Sequence, residues 1–76
     1  MNIQEVRKFI AAENYKAALR GAKDFRIGVS KDQRSVMARA YESIVHPDFY
    51  QQIGIDTDKA IEDGICVLKV VAGIDR

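Results

Sequence analysis

The stretch from Ser30 to Pro47 is written as one helix from start to stop, and it constrains everything around it. Ser30 and Gln33 stand three apart, the spacing of a capping box in which each side chain bonds the other's backbone N–H. Val36, Met37, Ala40, Tyr41, Ile44 and Val45 then recur at helical spacing and make one broad apolar face, with Arg34, Arg39 and Glu42 off it. His46 precedes Pro47, and a residue in that place avoids helical angles, so the helix over about 31–45 ends there. An apolar face that wide must be covered by other packed elements.

The flanking sequence offers helices to cover it. Asn2 and Glu5 open a first helix over about 3–13, with Ile3, Val6, Phe9 or Ile10, then Ala12 or Glu13, as its stripe. Asn14 is a good N-cap for a second helix over about 15–26, which turns Tyr15, Ala18, Leu19, Ala22 and Phe25 inward. Gly21 costs that helix about 1 kcal/mol relative to alanine. Its company of Ala17, Ala18 and Ala22 predicts a small-residue face where another helix comes close. Gly28 suits a left-handed C-terminal cap for this unit. Pro47 suits the first turn of a short helix, Asp48 to Ile53, closed by Gly54. Asp56 or Thr57 caps a last helix over about 57–72, with Ala60, Ile61, Ile65, Leu68, Val71 and Ala72 inward and Gly73 after it. Cys66, Val67 and Val70 make that helix apolar almost all round, which predicts a central position. Residues 64–71 are β-branched enough for a buried strand, but no other segment offers a strand to pair with.

The expected fold is all-α: one small compact bundle of four to five short helices built on αα-hairpins, occupying residues 1–76 as a single domain. At 76 residues the core is marginal, since a chain of this size buries only roughly 60% of its unfolded surface. A lone cysteine, Cys66, and a lone histidine, His46, leave neither an internal disulfide nor a His/Cys zinc cluster to help. Tight helix packing or a partner chain is the remaining route to stability. No apolar run reaches the ~20 residues of a membrane span. The opening residues lack a basic patch followed by an apolar stretch, and the single thiol suits a reducing interior, so a cytoplasmic location is expected.

Residues 2–27 resemble one helical hairpin of the tetratricopeptide kind. Asn14-Tyr15-Lys16-Ala17-Ala18-Leu19 is similar to that family's turn into its second helix, with an aromatic three residues before a small one and Ala22 at another small position. Val6 stands where the family has a small residue, and no second copy follows at the family's period of about 34 residues. The resemblance implies a closely packed hairpin and carries no activity.

Charge is divided by position. Residues 1–39 carry nine basic and four acidic side chains, a net +5; residues 40–76 carry three basic and seven acidic, a net −4. Such asymmetry points to an anionic partner, to a second copy of the chain, or to pairing of the halves within one monomer. Arg20, Lys23, Arg26, Lys31 and Arg34 cluster about the turn 26–30, where a helix N-terminus with arginines nearby suits a phosphate or carboxylate. The same side chains also serve solubility alone. Gly28-Val29-Ser30 resembles the turn of a helix-turn-helix reader, which would make 31–45 a recognition helix, but Arg34 stands where that motif carries an apolar residue.

Tyr41, His46, Phe49 and Tyr50 gather around the one proline. They are expected to close the core under the short helix, with Tyr50 the exposed ring. Otherwise Phe49 and Tyr50 offer an apolar interface. Cys66 and His46 are the one possible thiol–imidazole pair, but Cys66 among Ile65, Val67 and Leu68 reads as a buried, inert thiol. Asp56, Asp58, Glu62 and Asp63 lack the calcium-loop spacing and suit the dipole of a helix start instead. No cofactor is implied. The sequence therefore points to a non-catalytic helical interaction module — an adaptor, inhibitor or regulatory subunit — that binds a protein partner or a second copy through its basic and acidic faces. The alternative is a nucleic-acid-binding regulator using residues 26–39.

Overall fold

The computed structural model describes residues 2–25 and 28–74. Five α-helices follow in order: α1 (Ile3–Ala11), α2 (Tyr15–Ala22), α3 (Lys31–Val45), α4 (Pro47–Gln52) and α5 (Thr57–Val71). The described residues hold no strand, so the fold is the all-α bundle, and the β-branched run at 64–71 lies within α5.

The helix starts are set by side-chain caps. Asn2 accepts from the Glu5 amide at 3.0 Å and Asn14 from the Ala17 amide at 3.3 Å. Ser30 and Gln33 form the reciprocal capping box, at 3.1 and 2.9 Å. Asp56, not Thr57, caps α5 by accepting from the Lys59 amide at 3.1 Å. The Thr57 hydroxyl is buried and accepts instead from Gln51 Nε2 at 3.2 Å, which ties α4 to the first turn of α5.

Three helices end in the same way. After α4 and α5, Gly54 and Gly73 take φ of 86° and 78°, and paired reverse hydrogen bonds close each end (Gly54 N to Gln51 O and Ile55 N to Tyr50 O; Gly73 N to Val70 O and Ile74 N to Lys69 O). The α1 end makes the same two bonds, Glu13 N to Ile10 O at 2.9 Å and Asn14 N to Phe9 O at 2.8 Å, but with Glu13 at φ 58°. That is why α1 stops two residues short of the expected 13. Asn14 has to begin the next helix, so the reversal falls on Glu13. A left-handed conformation costs an L-residue roughly 1–2 kcal/mol. Glu13→Gly is therefore expected to raise stability by about 0.5–1 kcal/mol, less than the full strain because glycine frees the unfolded chain. Urea unfolding checks the sign.

The second helix also ends earlier than expected, at Ala22 rather than 26. Asp24 N and Phe25 N bond the carbonyls of Gly21 and Ala22, three residues back, so the chain tightens into a turn that packs Phe25 against the core. Gly28 has the expected positive φ, 75°, but stands beyond this turn and does not cap α2.

The core is assembled from all the longer helices. Val6 and Ile10 come from α1; Ala18, Leu19 and Ala22 from α2; Met37 and Ala40 from α3; Leu68 from the last turn of α5 and Ala72 from its C-cap; Val29 joins from the loop. The most extensive packing is α3 along α5, and α2 touches α1, α3 and α5. Arg7 Nε donates to the Ala72 carbonyl at 2.7 Å and fastens α1 to the end of α5.

The α3–α5 seam is lined by small residues. A Cβ on Gly64 would overlap the Ala40 Cβ, with the Val36 carbonyl oxygen at 3.4 Å. Here two helices meet with no room for a side chain between them; the alanine-flanked Gly21 on α2 is half-buried. Ser43 continues the Val36–Ala40 stripe and is fully buried, with its hydroxyl unpartnered.

The expectation of a central α5 is corrected. Lys59, Glu62, Asp63, Cys66 and Val70 form an exposed stripe along it, and Val70 is 61% exposed. The helix packs on α3, α2 and α4 from one side, and its opposite side faces solvent however apolar it is.

Candidate functional site

The five basic residues singled out around the turn do not form one open patch among the described residues. Arg34 Nη1 donates to the Val29 carbonyl at 3.0 Å and holds the loop against its own helix. Lys23 is largely covered; its ammonium lies 3.5 Å from Asp24 Oδ1 and 5.5 Å from the centre of the Tyr41 ring. Lys31 and Arg20 are exposed, on different helices. Arg26 lies outside the described residues.

Arg20 belongs instead to a different constellation. Lys16 and Arg20 stand four apart on α2, and that spacing puts them on one face. They border a groove of about 430 Å³ between the α1–α2 hairpin and α3, whose other lining residues are Phe9, Asn14, Ala17 and Tyr41. Two aromatic side chains, two cations and no carboxylate line it. Lys23 extends the same stripe three residues on and reaches Tyr41 from the far end. Tyr41 thus takes a cation on its face while α3 holds it half-buried. A surface of this kind accepts an anionic group and an apolar or aromatic body together.

Lys16 and Phe9 were not among the sequence candidates. The signal was present for the cations: Lys16, Arg20 and Lys23 fall at i, i+4 and i+7 with no acid between residues 14 and 23. Phe9 carried none, because its place on the same groove as Tyr41 depends on how the α1–α2 hairpin meets α3 through α2.

A second groove, of about 300 Å³, runs beside the α3–α5 seam and is lined by Asp32, Ser35, Val36, Arg39, Ala60 and Asp63. There Arg39 is flanked by two carboxylates, so this face of α3 is not a continuous basic surface.

The apolar candidate on α4 is exposed. Phe49 is 57% exposed and Ile53, four residues on, 59%. Tyr50 is half-buried, with its ring edge-on to Phe49 at 5.1 Å and 88°. The exposed ring is therefore Phe49 and not Tyr50, and α4 buries no residue fully. With six residues and proline at its start, α4 turns once and a half and can press only one edge, through Tyr50 and Gln51, against the bundle.

Cys66 is exposed, against the buried thiol expected. It lies nine residues into α5, roughly 14 Å along the axis from Thr57. His46 is exposed at the α3–α4 junction, and no hydrogen bond joins it to Cys66. Among the described residues no group of three or more His, Cys, Asp or Glu side chains could hold a metal ion. No helix there is long and apolar enough to cross a membrane. No family model, curated protein or solved structure matches this chain significantly.

Proposed function

We propose that this chain is a non-catalytic protein-interaction module whose site is the groove between Phe9 and Tyr41, and that it takes an acidic segment carrying an apolar anchor. The observation that carries this reading is the lining itself: Lys16 and Arg20 beside two aromatic side chains, with no carboxylate among the described residues that line it, Asp24 adjoining Arg20 only on the side away from this groove. Charge at the rim selects the partner and speeds encounter, and the ring-walled floor supplies affinity. The face of α3 required for nucleic-acid readout supports this choice. Asp32 and Asp63 share the Arg39 groove, and Arg34 is engaged by Val29.

The test is a titration of the isotope-labelled chain, followed by amide shifts, in separate arms with a short acidic peptide carrying one phenylalanine and with single-stranded DNA. The peptide is expected to move Ala17, Arg20 and Tyr41, and Lys16→Glu/Arg20→Glu to weaken it about tenfold or more while helicity stays unchanged. No shifts with the peptide would end this reading. Shifts at the same residues with DNA alone would move the protein to the nucleic-acid class.

A further inference from the structure

The groove's counterpart is on the same molecule. Phe49 on α4 and Ile53 at its C-cap stand four apart, each more than half exposed, and the Phe49 ring meets Tyr50 edge-on. Asp48 precedes Phe49, and the Gln51–Thr57 hydrogen bond places the first turn of α5, with Asp58 exposed on it, beside α4. Residues 40–58 contain Glu42, Asp48, Asp56 and Asp58 and no lysine or arginine. Residues 14–23 contain Lys16, Arg20 and Lys23 and no acid. One surface is an aromatic anchor with a negative rim; the other is an aromatic-walled groove with a positive rim.

Among the described residues the two charge sets do not pair with each other, and of the basic set only Lys23 is in an ion pair. Both ion pairs there, Lys23–Asp24 and Lys59–Asp63, join neighbours within the same half of the chain.

We infer that the occupant of the groove is a second copy of this chain, which inserts Phe49 and Ile53 between Phe9 and Tyr41 and sets Asp48 and Asp58 against Lys16 and Arg20. This rests on the groove reading above and names its partner. Each copy carries one groove and one anchor on different elements, so every contact joins unlike patches. The contact is small, of the transient class below about 1,200 Å² in total, and salt weakens it.

Sedimentation velocity on the full chain tests this, over a range of protein and salt concentrations. Two variants are used, the groove variant Lys16→Glu/Arg20→Glu and the anchor variant Phe49→Ser/Ile53→Ser. All four positions are exposed, and circular dichroism verifies that both variants keep their helices. The wild-type mass average is expected to rise with protein concentration and fall with salt. Each variant alone is expected to stay monomeric, and an equimolar mixture to sediment as a heterodimer, because one supplies the intact anchor and the other the intact groove. Self-association of either variant at wild-type strength would overturn the inference. So would a wild type that stays monomeric throughout. In that case, peptide shifts at Ala17, Arg20 and Tyr41 would leave the groove reading standing, and their absence would end both.

Discussion

Gly64→Ala is expected to destabilise the protein by about 2–3 kcal/mol, although helix propensity alone predicts a gain of about 1 kcal/mol at a mid-helix glycine. The sign is set at the seam. The added methyl would overlap the Ala40 Cβ, with the Val36 carbonyl oxygen behind it. Neither neighbour has a rotamer to escape into, so the clash is relieved only by moving α3 from α5, and those helices share the most extensive packing in the molecule. For a chain of 76 residues the total stability is about 4–11 kcal/mol, so the loss is a large share of it. Ala40→Gly in the same chain returns the missing volume. The pair is therefore expected to be more stable than the sum of the single changes by about 1–3 kcal/mol. Urea unfolding of the four proteins measures this coupling. Additive changes, or a Gly64→Ala protein as stable as the parent, would mean that α3 and α5 do not meet here.

That seam also marks where the sequence stopped being legible. The α3 helix was readable to the residue, because cap, apolar face and proline stop are all local signals between Ser30 and Pro47. The inward stripe of α2 was readable for the same reason. The ends of α1 and α2 were not. A reversal at Glu13 carries no glycine to announce it, and α2 stops where Phe25 is drawn inward by tertiary packing. In the sequence Gly64 looks like any mid-helix glycine; only the approach of a second helix marks it. Cys66 sits among apolar neighbours in sequence, but on a helix adjacent residues point 100° apart, so those neighbours say nothing about its own face.

The candidate site divides along the same line. The exposed Phe49 was within reach of the sequence, since a short helix begun by proline can bury only one edge. The cationic groove was half visible, as a basic stripe on α2. Its aromatic walls come from residues 9 and 41, on two other helices, and no local pattern links them. The basic turn around Arg34 looked like a site because charge clusters there in sequence. In the fold Arg34 also bonds the Val29 carbonyl and so helps to hold Val29 in the core.

Leu19→Ala is expected to cost about 3–4 kcal/mol, within the usual range for a buried leucine and towards its upper half. The reason is the company Leu19 keeps. It is fully buried, and the other core residues that α2 supplies are Ala18 and Ala22. Truncating it leaves two alanines and the half-buried Tyr15 as what this eight-residue helix gives the core, and alanines have no length with which to fill the space. Met37, the flexible neighbour in the cluster, recovers part of the loss. Because α2 touches α1, α3 and α5, loosening it releases α1 as well, so the loss should be global and not confined to a frayed segment. Val70→Ala, at a 61% exposed position on α5, is the control and is expected within about 0.5 kcal/mol of the parent. Amide hydrogen exchange reads the extent. Protection should fall together in α1, α2, α3 and α5 of the Leu19→Ala protein. A fall confined to α1 and α2 would mean that the hairpin is a separate cooperative unit and that the α3–α5 pair holds without it.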